Sequence, residues 1–352
     1  MAVCQANEDL EDKSQIEVGE HATFVGIYDG HGSQQAANYV LDNLFNHFIE
    51  HVHNARLMSE DAITHAIAVT EQGFIEAVRG NAETQPQMAT VGCCCVIGVI
   101  WQSRIYVANL GDSRAVIAYR TPSDSDTTMH SEPLSFVHHV NQLYTRRDLF
   151  GAESSEQEIS HADGVNLIKN RIQVSRSIGD AYLKYPEHAI PDIPIRKAVL
   201  SAEPTRCTRP LREADKFLIF ASSGLWDHLS LEQAVEFVRA HPPKGVAKRL
   251  VKEVQKRAAE KVGLTYEQVK RAAMGGNRIQ THNDITVVII FLDHKLLNKD
   301  RRGLGRFNPF RKSPPELDDS IVGFADRIRQ SLFHRLAWPP NAESAFQSTF
   351  IM

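Results

Sequence analysis

Apolar positions along the first 293 residues fall into two kinds of run. Short continuous runs bounded by turn residues read as buried strands: Ala22 to Tyr28, Val91 to Ile100, Arg104 to Ala108, Ala115 to Tyr119, Phe217 to Ala221 and Ile285 to Leu292. Other stretches follow helical spacing. Ala36, Ala37, Val40, Leu41, Leu44, Phe45, Phe48, Ile49 and Val52 predict one amphipathic helix, and a second runs from about Glu60 to Val78 with Ser59 placed to cap it. Ser230 with Gln233 forms a capping box for a third, which Pro242-Pro243 ends. Val246, Leu250, Val254, Ala258 and Val262 mark a fourth. Hairpin strands with helices grouped between them predict α+β layers, not a doubly wound sheet.

Two regions break the pattern. Thr121 to Asn170 is polar and aperiodic, and reads as loop or as a surface insertion with partial helix. From Lys295 to Lys312 the chain is strongly basic, Pro314-Pro315 interrupts it, and Ile321, Phe324, Ile328, Leu332 and Leu336 then return at helical spacing. A folded domain over residues 1–293 and a tail over 294–352 follow. The tail is either a solvated linker with a helix packed on the domain, or a helix that docks on a partner or a membrane surface.

Composition narrows the class. Of 352 residues, 42% are hydrophobic and 23% charged, which is ample for a buried core. The 39 basic and 43 acidic residues lack the basic excess of a nucleic-acid binder. No run approaches the roughly 18 to 20 apolar residues of a membrane span, and the first residues do not read as a signal peptide, so the expectation is a monomer of the cytoplasm or nucleus. Cys93, Cys94 and Cys95 sit inside an apolar run, where neighbours alternate between strand faces; they read as buried thiols, not a metal knuckle.

Acidic residues gather at predicted strand ends. Asp29-Gly30-His31-Gly32 joins a buried strand to an amphipathic helix, and such a turn taken alone is structural. Glu11-Asp12 precedes it, and Gly111-Asp112-Ser113-Arg114, Ser175 to Asp180, Ser222 to Asp227 and Asn283-Asp284-Ile285-Thr286 follow. Brought together in one fold, these carboxylates would make an oxygen-ligand site of the kind magnesium and manganese prefer.

The chain resembles the metal-dependent type 2C serine/threonine protein phosphatases, in particular a plant-like branch. Met1-Ala2-Val3, Leu10-Glu11-Asp12, Val25 to Gly32, Val107 to Arg114, Gln173 to Asp180 and Asp284 to Val288 carry the resemblance, in family order, across residues 1 to about 293. It implies two stacked antiparallel sheets flanked by helices, with a site for two Mg2+ or Mn2+ ions at one end. It also implies hydrolysis of phosphoserine and phosphothreonine by a metal-activated water. By the same resemblance Asp29 bridges the metals, Gly30 offers its carbonyl, Glu11 helps hold the second metal, and Asp112 and Asp227 line a third, weaker position. His31 is the implied general acid, oriented by Asp112.

The departures matter as much. The family has an aspartate ligand where this chain has Ser223, and another where it has Asn283; Asp284 is one residue out and belongs to the opposite strand face. One metal would keep Asp29 as its only family carboxylate and bind weakly. Many members carry a phosphate-gripping arginine where this chain has Asn7, and Met1 falls inside the expected first strand, which reads as truncated. Three readings stay open: a phosphatase of impaired activity, an inactive pseudophosphatase that binds phosphoproteins, and a degenerate product that folds poorly.

Overall fold

A computed structural model describes residues 1–297 apart from 20–21, 56–57, 122–127, 143, 146–158, 163–164, 277 and 296. The tail helix expected over Ile321 to Leu336 lies outside the described residues. In chain order the elements are β1 (Ala2–Cys4), β2 (Lys13–Val18), β3 (Ala22–His31), α1 (Gln35–Ala55), α2 (Glu60–Gly80), β4 (Gly92–Trp101), β5 (Arg104–Leu110) and β6 (Arg114–Tyr119). Then come β7 (His130–Pro133), β8 (Ile159–Ala162), β9 (Val165–Ile168), β10 (Ile178–Gly179), α3 (Ala181–Lys184), β11 (Thr205–Pro210) and β12 (Asp215–Ala221). The short α4 (Ser223–Trp226), α5 (Leu231–Arg239), α6 (Val246–Lys261), α7 (Tyr266–Arg271) and β13 (Ile285–Phe291) complete the described chain.

The expected four layers form. One antiparallel sheet runs β1-β13-β12-β6-β7; the other runs β11-β5-β4-β3-β2, with β10 added beside β4. Alternation along each strand explains why the central ones read as unbroken apolar runs. In β3, Val25 and Ile27 face the opposite sheet, while Phe24 and Tyr28 face α1 and α2. In β12, Leu218 and Phe220 point between the sheets, and Phe217 and Ile219 pack under α5 and α6. Both faces of the central strands are buried, so neither face needs polar residues. Cys93 and Cys95 face the helices with their sulfurs 3.7 Å apart, and Cys94 turns to the other side.

Several expectations are adjusted. Ser59 sits at the N-cap of α2 but accepts no capping hydrogen bond; the acidic Glu60 and Asp61 complement the first turn instead. The Ser230–Gln233 capping box is present. The region taken as loop from Thr121 to Asn170 contributes β7 to the edge of the first sheet and a separate β8–β9 hairpin. The first strand is short, three residues, and pairs with β13 from Ala2 opposite Val287 to Cys4 opposite Ile285. No helix among the described residues is long and apolar enough to cross a membrane.

The two sheets are in close contact where the Phe220 ring lies over Gly98: a Cβ at Gly98 would stand 2.4 Å from Phe220 Cζ. Gly98→Ala is expected to destabilise the domain by about 1–3 kcal/mol through overpacking. Phe220→Ala, which leaves a cavity at the same place, should cost about 3–5 kcal/mol. Urea midpoints of the two variants check both, and a Gly98→Ala midpoint equal to wild type would disprove the close contact.

Candidate active site

Four strand ends meet at one end of the sandwich. The last residues of β3 carry Asp29-Gly30-His31, the turn after β5 carries Asp112, the turn after β12 carries Ser223 and Asp227, and the residue before Asp284 at the start of β13 is Asn283. All seven border one open cleft of about 530 Å³. Glu11, the eighth expected site residue, stands behind Gly30, whose missing side chain is essential: a Cβ there would lie 2.7 Å from the Glu11 carbonyl oxygen.

Hydrogen bonds fix the acidic residues. Asp29 Oδ2 accepts from the Ser223 backbone N–H at 2.8 Å and from the Ser113 hydroxyl at 3.2 Å. Asn283 Oδ1 accepts from Asn7 Nδ2 at 3.0 Å and from the Asp284 amide at 2.8 Å, and the same Asn7 amide reaches Glu11 Oε2 at 3.2 Å. Asp284 does not border the cleft. Its carboxylate accepts the amides of Ala6 (2.6 Å), Asn7 (3.0 Å) and Glu11 (2.7 Å) and so pins the loop that carries Glu11.

Crowding shows in the charge states. Burial, then the neighbouring Asp29 and Asp227, pushes Asp112 up to about 7. Burial and then Asp284 push Glu11 up to about 7. Burial and Asp29 likewise raise Asp227. Asp12, fully enclosed, is driven well above the carboxylate range by burial first and then by Asp29, and neither of its oxygens has a partner in hydrogen-bonding geometry. Carboxylates held this close disfavour one another's ionisation unless a cation offsets them. The donor set suits a hard divalent cation: Asp29, Asp112, Asp227, Glu11 and the Gly30 carbonyl supply oxygens. It is a sparse set, however. Among the described residues no three His, Cys, Asp or Glu side chains converge closely enough to hold a metal by themselves. Ser223 and Asn283 add only neutral oxygens, and Asn283 Oδ1 already accepts two hydrogen bonds.

The orientation of His31 corrects the expectation. Its Nε2 lies 2.8 Å from Oδ2 of Asp180, not against Asp112. Asp180 is fully buried, takes a second bond from the Ser177 hydroxyl at 2.5 Å, and adopts the left-handed conformation at φ +50°. Burial opposes the charged imidazole, but the Asp180 carboxylate outweighs it and holds the His31 pKa above its ordinary value; Asp112 adds a smaller push. The pair crosses β4 where that strand has no side chain: a Cβ on Gly92 would fall 2.2 Å from Asp180 Oδ2 and 2.4 Å from His31 Nε2. Asp180 closes a motif visible in the sequence, Ser175 to Asp180, yet nothing in its spacing pointed to His31.

A protein-family model described as Protein phosphatase 2C matches residues 4–263. "Probable protein phosphatase 2C 25" of Oryza sativa subsp. japonica is 43% identical over 341 residues, covering 94% of this chain and 84% of that protein. "Probable protein phosphatase 2C 68" of Arabidopsis thaliana is 41% identical over 345 residues, covering 95% and 84%. The crystal structure of serine-threonine phosphatase 2C from Toxoplasma gondii superposes with a TM-score of 0.59 at 16% identity, covering 83% of this chain and 93% of that one, and shows the shared fold.

The Asp112 turn has its own pH-sensitive support. His138 is buried and its Nδ1 accepts the Gly111 amide at 3.1 Å; burial, then Arg176, lowers its pKa to about 3. A histidine kept neutral by folding is protonated more readily unfolded, so this contribution is intact above about pH 6.5 and declines as pH falls toward 3, by up to about 1.4 kcal/mol per unit. His138→Asn keeps an acceptor for Gly111 and removes the titration. Urea unfolding at pH 7 and pH 4.5 should therefore show a smaller acid-induced loss in the variant than in wild type.

Proposed function

The chain belongs to the protein phosphatase 2C family, the metal-dependent protein serine/threonine phosphatases, and we propose that it hydrolyses phosphoserine and phosphothreonine with a depleted cation site and reduced turnover. The observation behind the second half is local. At the two positions where the family resemblance calls for aspartates, Ser223 offers Asp29 its backbone amide, and Asn283 has its oxygen engaged by Asn7 and Asp284.

Asp29, the Gly30 carbonyl and Glu11 would hold one divalent cation, with Asp112 and Asp227 at the rim. A bound cation supplies positive charge that lowers the proton affinity of a water and offsets charge on the phosphoryl oxygens. A carboxylate about 4 Å from a unit charge contributes on the order of 4 kcal/mol at an effective dielectric near 20. If only about 1.4 kcal/mol of that is lost net at each replaced position, affinity falls roughly tenfold each time.

The chain's own groups do the rest. His31, oriented by Asp180 through Nε2 and with its pKa raised by that carboxylate, keeps Nδ1 to hand a proton to the departing serine or threonine oxygen. Asn7 carries no charge, and Arg171 is the one arginine or lysine among the described residues lining the cleft. Its guanidinium is the fixed positive charge that can meet the substrate phosphate. A monomer acting on phosphoproteins in the cytoplasm or nucleus belongs to the same proposal.

Calorimetry with magnesium and manganese, run beside phosphopeptide turnover, tests this reading. Restoring both carboxylates with Ser223→Asp and Asn283→Asp should tighten metal binding about 100-fold and raise turnover. Wild-type turnover equal to that of the repaired chain would overturn the depletion. A repaired chain that binds metal and phosphopeptide without turnover would favour a phosphoprotein-binding module instead. Arg171→Ala should raise KM for a phosphopeptide on the order of tenfold with kcat little changed.

A further inference from the structure

The geometry points to Glu71 and Lys184 as positioning residues for His31, a buried ion pair that holds the turn from which Asp180 reaches the imidazole; the role rests on the phosphatase reading above. Lys184 Nζ lies 2.7 Å from Glu71 Oε1 and donates to the Ser177 carbonyl at 2.7 Å. The other oxygen of Glu71 accepts the Gly179 amide at 2.8 Å. Both side chains are buried. The pair thus grips the backbone on the residue just before Asp180 and again three residues before it, from α2 on one side and α3 on the other.

That turn needs holding. Gly179 and Asp180 are consecutive left-handed residues, at φ +82° and +50°, and although aspartate enters that region more readily than most side chains, it does so at a cost that glycine does not bear. Apart from the pair, the backbone between 178 and 180 is fastened by the two-residue β10–β4 pairing, by the Asp180 amide, which donates to the Val91 carbonyl at 2.8 Å, and by the Asp180 carbonyl, which accepts the Leu183 amide at 2.9 Å. The ion pair is a poor device for stability alone, because taking two charges out of water offsets most of their attraction, and an apolar pair of similar volume would pack as well. An apolar pair cannot hold the carbonyl of residue 177 and the amide of 179 in one arrangement. With those two ties lost, the turn can relax and the Asp180 carboxylate moves off His31 Nε2, so the imidazole loses its orientation.

The chemistry gives a signature that a structural role lacks. When the bond from phosphorus to a serine or threonine oxygen breaks, its electron pair stays on an oxygen far too basic to leave without a proton from His31. A nitrophenolate leaves unaided. Damage at His31 should therefore fall on alkyl phosphates and spare aryl ones.

The test uses Lys184→Met, and also the double variant Glu71→Gln with Lys184→Met, which removes both buried charges while keeping an acceptor for the Gly179 amide and is the one expected to fold. Two measurements are made on the full chain. The first is the nitrogen NMR signal of the His31 ring, assigned with His31→Gln. The second is turnover of a phosphoserine peptide against p-nitrophenyl phosphate. The expected result is a displaced His31 signal, with peptide turnover down on the order of 100-fold and aryl phosphate turnover changed by less than about threefold. A folded double variant with the wild-type His31 signal and an unchanged ratio of the two rates overturns the positioning role. If wild type turns over neither phosphate, the phosphatase reading fails, while the NMR comparison still decides whether the pair positions His31.

Discussion

Three backbone amides converge on the buried carboxylate of Asp284, and the layout of the site depends on that convergence. Through it the start of β13 grips the loop from Ala6 to Glu11, so that Glu11 lies against Gly30 and Asn7 spans from Glu11 to Asn283. Asp284 is turned to that loop, while Asn283, one residue earlier, borders the cleft.

The buried acids of this domain sort by what neutralises them. Asp284 has its amides, Asp180 has His31 and the Ser177 hydroxyl, Glu71 has Lys184, and Asp215 has Arg209, whose Nη2 lies 3.0 Å from both carboxylate oxygens. Asp29, Asp112, Asp227, Glu11 and Asp12 form the remainder, in which Asp29 raises the cost of ionising the other four and Asp227 adds to that of Asp112. The domain matches its other buried acids with partners, and this crowded group is the one whose charge a divalent cation of the kind the family uses would offset.

The sequence was most legible where burial is symmetrical. Central strands such as β4 and β12 read as apolar runs because both faces are covered, and α1 and α6 announced themselves by period. Edge strands did not. β2 (Lys-Ser-Gln-Ile-Glu-Val) and β11 (Thr-Arg-Cys-Thr-Arg-Pro) lie at the rims of their sheet, where polar residues are tolerated and guard an open edge, so their pattern resembles a loop. The site followed the same division. Acidic residues at strand ends were legible as a group because several acidic turns shared one context. The partner of His31 was not, since Asp180 lies 149 residues away and meets it only by crossing the bare backbone of Gly92. A missing side chain leaves no pattern, and here the absence is what joins the two groups.

The cysteine triplet in β4 has a kinetic meaning. Cys93, Cys94 and Cys95 are buried within the central strand of the second sheet, whereas Cys4 and Cys207 are half-exposed. Burial holds the Cys93 and Cys94 thiols well above their ordinary pKa, so the reactive thiolate is scarce while the strand is covered. Burial raises the partly covered Cys4 and Cys207 as well, Cys4 to about 11, but the three thiols of the triplet must in addition wait for β3, β4 and β5 to part before they meet a soluble reagent. The protein carries its own clock for rare opening events, set in the strand that also passes beneath His31 and Asp180.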